Sequence, residues 1–378
     1  MTEAADEFET LHEIVKRARE NLSRDVWDYV VGGAETETTL KRNRQALDSI
    51  AFRPRVLRDV SAVDCSSTFL GERLRIPVVL APIGSLEDVE SGGGVTVARA
   101  AGEFGVASML SSVCRPGLEE VAAASDGPLI YNLYVRGDAD WIADHVRRAV
   151  DAGCRAFSVT VDSAIYGRRE RDLAKRYKSS ARRRFTGMEF QAGFTWDHMK
   201  RIRDAIDIPL IVKGIATAED AATACALGID VIYVSNHGGR QLDHGLGAIE
   251  VLPEVVREVG AKAAVVVDGG FMRGTDIVKA IALGADAVGI GRLLCFGLAA
   301  AGQAGLVRVL ELLETEIKTC LALLGADRFD TLDQSYLHPA QPVDRAHGLS
   351  AFPLLDEGYG GGLPLTSWHR RARIRKSG

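Results

Sequence analysis

Residues 209–235 read PLIVKGIATAEDAATACALGIDVIYVS. An apolar run of strand length, PLIVKG, leads into an amphipathic stretch, AEDAATACALG, and then into a second apolar run, DVIYVS. Near-continuous apolar runs with little polar alternation are what a parallel sheet buried on both faces requires. The stretch between them has helical periodicity and ends on Gly228, suited to the left-handed turn that closes a helix. The same unit recurs along the chain. Further runs begin at Pro77 (PVVLAP), Val106 (VASML), Pro128 (PLIYNLY), Ala156 (AFSVTVD), Ala263 (AAVVVD) and Asp286 (DAVGIG), which with the first two makes eight. ADWIADHVRRAVDAG and RGTDIVKAIALGA read as further connecting helices. Eight alternating units predict an α/β fold closed as a (β/α)8 TIM barrel rather than an open doubly wound sheet.

Three segments stand outside the repeat. Residues 1–76 read as an N-terminal helical extension (FETLHEIVKRARENL, then RDVWDYVVGGA) ending in an extended passage at FRPRVL. The barrel takes residues 77–348, and 349–378 form a C-terminal tail ending in the basic HRRARIRKSG. Within the barrel, residues 174–196 form a Lys- and Arg-rich excursion after the fourth strand, placed where barrel loops cover active sites.

Composition narrows the function classes. Apolar residues make up 47% of the 378 and charged residues 26%, enough for a buried core and a charged surface. The net charge of −5 argues against nucleic-acid binding. No uninterrupted apolar run reaches membrane-spanning length. The start, MTEAADEFET, is acidic where a signal peptide is basic and then apolar, so a cytoplasmic protein is expected. The six cysteines are widely spaced with no C-x-x-C pair, pointing to buried thiols rather than disulfides or a metal site.

Barrel active sites sit at the C-terminal ends of the strands. Polar residues gather there: Ser111, Asn132 with Tyr134, Thr160 with Asp162, Lys213, Ser235-Asn236-His237, Asp268, and Gly291-Arg292. The segments DGGFMRGTD (268–276) and GIGRLL (289–294) put glycines and an Arg just before a helix, after strands seven and eight, the usual phosphate site of such barrels. Lys213, flanked by core, needs either a carboxylate partner or an anionic ligand. In SNHGGRQLD (235–243), His237 can serve as a base and Arg240 can fork onto a carboxylate.

VSNHGGRQLD, DGGFMRGTD, IVKG, TVDSAIYGRRE, DYVVGGAETETTL and FRPR, in that family's order from about residue 8 to 335, resemble the FMN-dependent 2-hydroxy acid oxidases and dehydrogenases, which include glycolate oxidase, lactate oxidase and mandelate dehydrogenase. The resemblance implies FMN as cofactor and oxidation of a 2-hydroxy acid to the 2-oxo acid. It implies His237 as the base, paired with Asp162, and Arg169, Arg240 and Tyr29 on the substrate carboxylate, with Tyr134 near the hydroxyl. Lys213 would lie at the flavin N1–O2 edge. Ser111, Thr160, Ser235 and Asn132 (Gln in the family) would hydrogen-bond the flavin, and Ala81, Pro82 and Ile83 would run along its ring. Asp268 would hold the ribityl chain, and Gly269, Gly270, Arg273, Gly291 and Arg292 the phosphate. A homotetramer is implied, and the electron acceptor is left open between oxygen, a quinone and a redox protein.

Departures from the family pattern matter. Met272 replaces the first Arg of DGGxRRG, so one phosphate cation is missing, and ESGGG (90–94) replaces HPEGE. These changes keep open a repurposed paralogue acting on a different substrate, or a binding protein with impaired catalysis. A nucleotide-dehydrogenase barrel would want a Cys after strand six, and none occurs between residues 225 and 295. Gly84 stands where glycolate- and lactate-type members have Ala, Val113 where glycolate oxidases have Trp, and SAIYG replaces TPRxG, bringing in Tyr166. With a short strand-four excursion, these positions predict a substrate bulkier than glycolate or lactate.

Overall fold

The computed structural model describes residues 8–356. Its centre is a closed barrel of eight parallel strands. They are β1 Val78–Leu80, β2 Ala107–Ser111, β3 Leu129–Leu133, β4 Ala156–Thr160, β5 Leu210–Ile215, β6 Val231–Val234, β7 Ala264–Val267 and β8 Ala287–Ile290. Each falls on one of the eight apolar runs, with β2 and β5 reaching one residue further, to Ser111 and Ile215. Closure comes from β8 against β1, where Val288 pairs with Val78. Alternate side chains explain the lack of polar alternation. Val79, Met109, Ile130, Ile211 and Val266 fill the barrel interior, while Val78, Leu80, Val212 and Val267 pack outward against helices. A short hairpin, Ser67–Phe69 with Glu72–Leu74, adds Phe69 and Leu74 to the interior cluster.

The last helix, Arg292–Leu324, corrects one expectation. By length and composition it is apolar enough to cross a membrane, although no uninterrupted apolar run announces it. However, 72% of its most apolar window is buried inside the protein, and non-helical backbone at Ala301 and Gly302 kinks it. Its apolarity is that of a core helix. The six thiols are free, five of them buried.

The N-terminal segment supplies helices Leu11–Asn21, Arg24–Val31 and Thr38–Asp48, then a strand, Ile50–Phe52, that pairs antiparallel with Leu337–Pro339. The third helix escapes the periodicity reading because its buried side carries Thr39, Asn43 and Arg44 as well as Leu40 and Leu47. Those polar groups clamp the catalytic face. Arg44 makes a two-pronged ion pair with buried Asp276, at 2.7 and 2.8 Å. Asp276 also accepts from the amides of Met272 and Arg273, which fixes the loop after β7. Asn43 and Asn236 exchange amide hydrogen bonds at 2.9 and 2.7 Å.

The start of helix Thr38–Asp48 is capped from far along the chain. Asp243, in the loop after β6, accepts from the amides of Thr36, Thr38 and Thr39 and from the Thr36 hydroxyl. Helix starts leave N–H groups unsatisfied, and a carboxylate there also meets the positive end of the helix dipole. The excursion after β4 is a packed cover of three short helices, Glu170–Ala174, Ser180–Arg184 and Met188–Ala192. Buried Gln191 staples it down, accepting from Val135 N and donating to Thr160 O. The basic HRRARIRKSG lies outside the described residues.

Burial alone would raise the Asp243 carboxyl, but the donors of Thr39, Thr36 and Thr38 outweigh it and hold the carboxyl well below its ordinary value. A depressed folded-state value means the stabilisation is present above the unfolded value, near pH 4, and is lost as pH falls below it. Asp243→Ala should cost about 2 kcal/mol in a urea titration near neutral pH. It should also flatten the loss of stability of the wild type below about pH 4.

Candidate active site

One large cavity opens at the C-terminal ends of the strands, with about 1210 Å³ of atom-free space counting its mouth. On one side of it, His237 follows β6 with a positive φ of 59°, a conformation a non-glycine residue holds only when its surroundings enforce it. Its amide donates to Ser235 Oγ. Its Nδ1 meets Asp162 Oδ1 at 3.0 Å and its Nε2 meets the Tyr134 hydroxyl at 3.2 Å. Burial would raise the Asp162 carboxyl, but His237, with help from Lys213, brings it below its ordinary value. The carboxylate therefore accepts a hydrogen bond from Nδ1–H, which leaves Nε2 facing the cavity as an acceptor. Burial first, then the Asp162 carboxylate, pushes the Tyr134 phenol up, so it stays a donor.

Beside this pair lie two guanidiniums, Arg169 buried and Arg240 half-buried. Arg169 is 4.3 Å from the Tyr166 ring centre and 5.9 Å from that of Tyr29. Arg240 lies 5.0 Å from the Tyr29 ring and donates to the Val30 and Gly32 carbonyls. Burial, then the like charge of Arg169, depresses Arg240. Among the described residues no carboxylate ion-pairs with either. The Tyr29 hydroxyl donates to Gly84 O at 3.4 Å.

The other side of the cavity is lined by the backbone of Ala81, Pro82 and Ile83, by Lys213, and by the loops after β7 and β8. Lys213 pairs with Asp268 at 3.1 Å and donates to Ser235 Oγ, which donates on to Asp268. Arg292 donates to the carbonyls of Gly32 and Gly238 at 2.9 Å, while its Nε is buried without a partner. Burial, then Arg240, lowers Arg292 to about 9.

The FMN-dependent dehydrogenase family matches this chain over residues 18–339. This chain belongs to that family. An L-lactate oxidase from Nostoc sp. is 36% identical over 355 residues, 87% of this chain and 97% of its own. Glycolate oxidase 3 from Arabidopsis thaliana is 37% identical over 367 residues, 91% of this chain and 99% of its own. A solved mandelate oxidase, with 3,3-difluoro-2-hydroxy-3-phenylpropionic acid, superposes with a TM-score of 0.82 at 37% identity, over 89% of this chain and 100% of that one. An active chimera of (S)-mandelate dehydrogenase gives 0.82 at 35% identity, over 87% and 99%. The protein is therefore an FMN-dependent oxidoreductase.

The residues present fit FMN. The half-buried Arg292 guanidinium, without an acid and beside Gly291 whose missing side chain would point into open space, suits a phosphate dianion. Asn132 is fully buried and its Oδ1 accepts from Ser158 and Thr160, leaving Nδ2 a buried donor without a partner. A cofactor carbonyl would satisfy it. Asn132, Ser111, Thr160 and Ser235 are all buried beneath the cavity wall rather than in it. Gly269 and Gly270 line the cavity with positive φ, packed on Asn43.

Arg273 is placed differently from the sequence expectation. Its guanidinium pairs with Glu316 at 2.6 Å and donates to Ala351 O, so it is committed away from the cavity. Met272 takes the wall position, leaving Arg292 as the cation at this end. Sequence reasoning also missed Arg136, Phe185 and Met188, all of which line the mouth. Arg136 could have been flagged as a charged residue just past a buried strand; Phe185 ends one short cover helix and Met188 starts the next, with no periodicity to read.

Replacing Arg292 by Met should leave a folded protein that loses FMN on gel filtration, with affinity about tenfold to a hundredfold weaker. Undiminished flavin absorbance after extensive washing would place the phosphate elsewhere.

Proposed function

We propose that this protein oxidises a 2-hydroxy carboxylate with a bulky, aromatic-type side chain to the 2-oxo acid, with His237 as base and Arg169 and Arg240 holding the carboxylate. The observation that carries this is the pair of guanidiniums flanking Tyr29, Arg169 buried and Arg240 half-buried, without carboxylate partners and beside the His237–Asp162 pair. Buried cations without acids demand an anion, and a planar carboxylate suits two guanidiniums. The related lactate, glycolate and mandelate enzymes are named for 2-hydroxy acids, which matches that demand.

The reaction removes two electrons and two protons from the H–C–O–H unit. Arg169 and Arg240 fix the carboxylate, which directs the adjacent carbon and its hydroxyl toward His237 and Tyr134. One proton passes to His237 Nε2, and Asp162 stabilises the resulting imidazolium across Nδ1. FMN, when bound, would supply the sink for the two electrons and the second proton. Ala81, Pro82 and Ile83, Lys213, Asn132 and the Gly291-Arg292 loop would hold it, with Lys213 supplying positive charge and Asn132 a buried amide donor.

The side-chain pocket supports bulk, though not simply through lost volume. A methyl at Gly84 would come within 2.9 Å of Val113 Cγ2, so Val113 occupies part of the space that Gly84 vacates. The remaining room opens toward Tyr166, Phe185 and Met188, an aromatic and thioether surface that suits an aryl group.

His237→Asn should lower kcat by about 10²- to 10⁴-fold with flavin content retained. Mandelate should exceed lactate in kcat/KM for the wild type; a clear preference for lactate would contradict the bulky-substrate reading.

A further inference from the structure

Five cations line the cavity: Arg136, Arg169, Lys213, Arg240 and Arg292. Four are accounted for. Lys213 is paired with Asp268, Arg292 lies at the phosphate end, and Arg169 with Arg240 take one carboxylate. Arg136 is left over. It follows β3, two residues beyond Tyr134, the group that touches His237. Its guanidinium lies 5.7 Å from the Tyr134 ring centre and 5.0 Å from that of Phe185, against the aromatic wall assigned to the substrate side chain. Its NH1 donates to its neighbour Val135 O, but its Nε is buried with no partner. Among the described residues no acid pairs with it. The Gly187 position of the cover would collide with the Arg136 backbone if it carried a side chain, so cover and strand end are closely fitted.

A guanidinium held between aromatic faces with an unused, buried N–H is a recognition group waiting for an oxygen acceptor. We propose that Arg136 is a specificity determinant and that the preferred substrate is a 2-hydroxy acid whose side chain ends in a second carboxylate. This rests on the 2-hydroxy acid reading above and goes beyond it by assigning the far end of the substrate. The bound acid would then span the cavity, one carboxylate on Arg169 and Arg240 and the other on Arg136, with its carbon frame along Phe185.

The test compares mandelate with mandelates bearing a ring carboxylate, meta and para, in the holoenzyme. For the wild type, kcat/KM for the better ring-carboxylated acid should exceed that for mandelate at least about tenfold. Arg136→Met should bring that ratio close to one, chiefly through KM for the diacid, and Arg136→Lys should restore part of it. The wild-type ratio is read without any variant, so it decides even if Arg136→Met fails to fold. A wild-type ratio of one or below would overturn the proposal. So would an Arg136→Met enzyme that lowers both acids equally, because a purely structural stack on Tyr134 and Phe185 would act that way. Mandelate turnover without a diacid preference leaves the 2-hydroxy acid reading standing and removes this one; turnover of neither acid removes both.

Discussion

Three guanidiniums, that of Arg169 buried and those of Arg240 and Arg292 half-buried, sit at one face of the barrel with no carboxylate in ion-pair contact among the described residues. Desolvating a charge costs several kcal/mol even after local relaxation. Here the cost is offset only in part, by carbonyls. Gly32 O, just past helix Arg24–Val31, accepts from both Arg240 and Arg292. Backbone carbonyls at a helix end are the negative pole of its dipole and are the natural stand-in for an acid. They hold the cations in place without neutralising them, so the site keeps its appetite for anions. Acid partners would have given a more stable resting protein and a weaker binding site.

That arrangement explains why a barrel enzyme carries so much chain before its first strand. The N-terminal helices supply Tyr29, the Gly32 carbonyl, and the face of Asn43 and Arg44 that grips the loops after β6 and β7. Asp243 returns the grip from the other side by capping helix Thr38–Asp48. The loop that carries His237 and Arg240 is thereby held between the barrel and the extension, and the positive φ of His237 is sustained by this packing.

The parts of the fold set by apolar burial were legible in the sequence, because a strand covered on both faces leaves an unbroken apolar run. That His237, Arg240 and Arg169 would meet at one strand-end cavity was legible in SNHGGRQLD and its companion motifs. Helix Thr38–Asp48 was not, since its buried face is partly polar and shows no stripe. The direction of Arg273 was also hidden: whether a guanidinium turns toward a phosphate or toward Glu316 depends on a helix more than forty residues away in the chain. Helix Arg292–Leu324 hid for a third reason, because scattered polar residues break its apolar run while leaving its average high.

The central claim is that acid-free guanidiniums and the His237–Asp162 pair together make a site for oxidising a 2-hydroxy carboxylate. An anaerobic titration of the flavin-loaded protein with mandelate tests it most directly, following flavin absorbance together with release of the 2-oxo acid. The account predicts that the flavin band bleaches and that one equivalent of 2-oxo acid forms per flavin. A flavin band that persists unchanged through saturating mandelate, lactate and glycolate would contradict it.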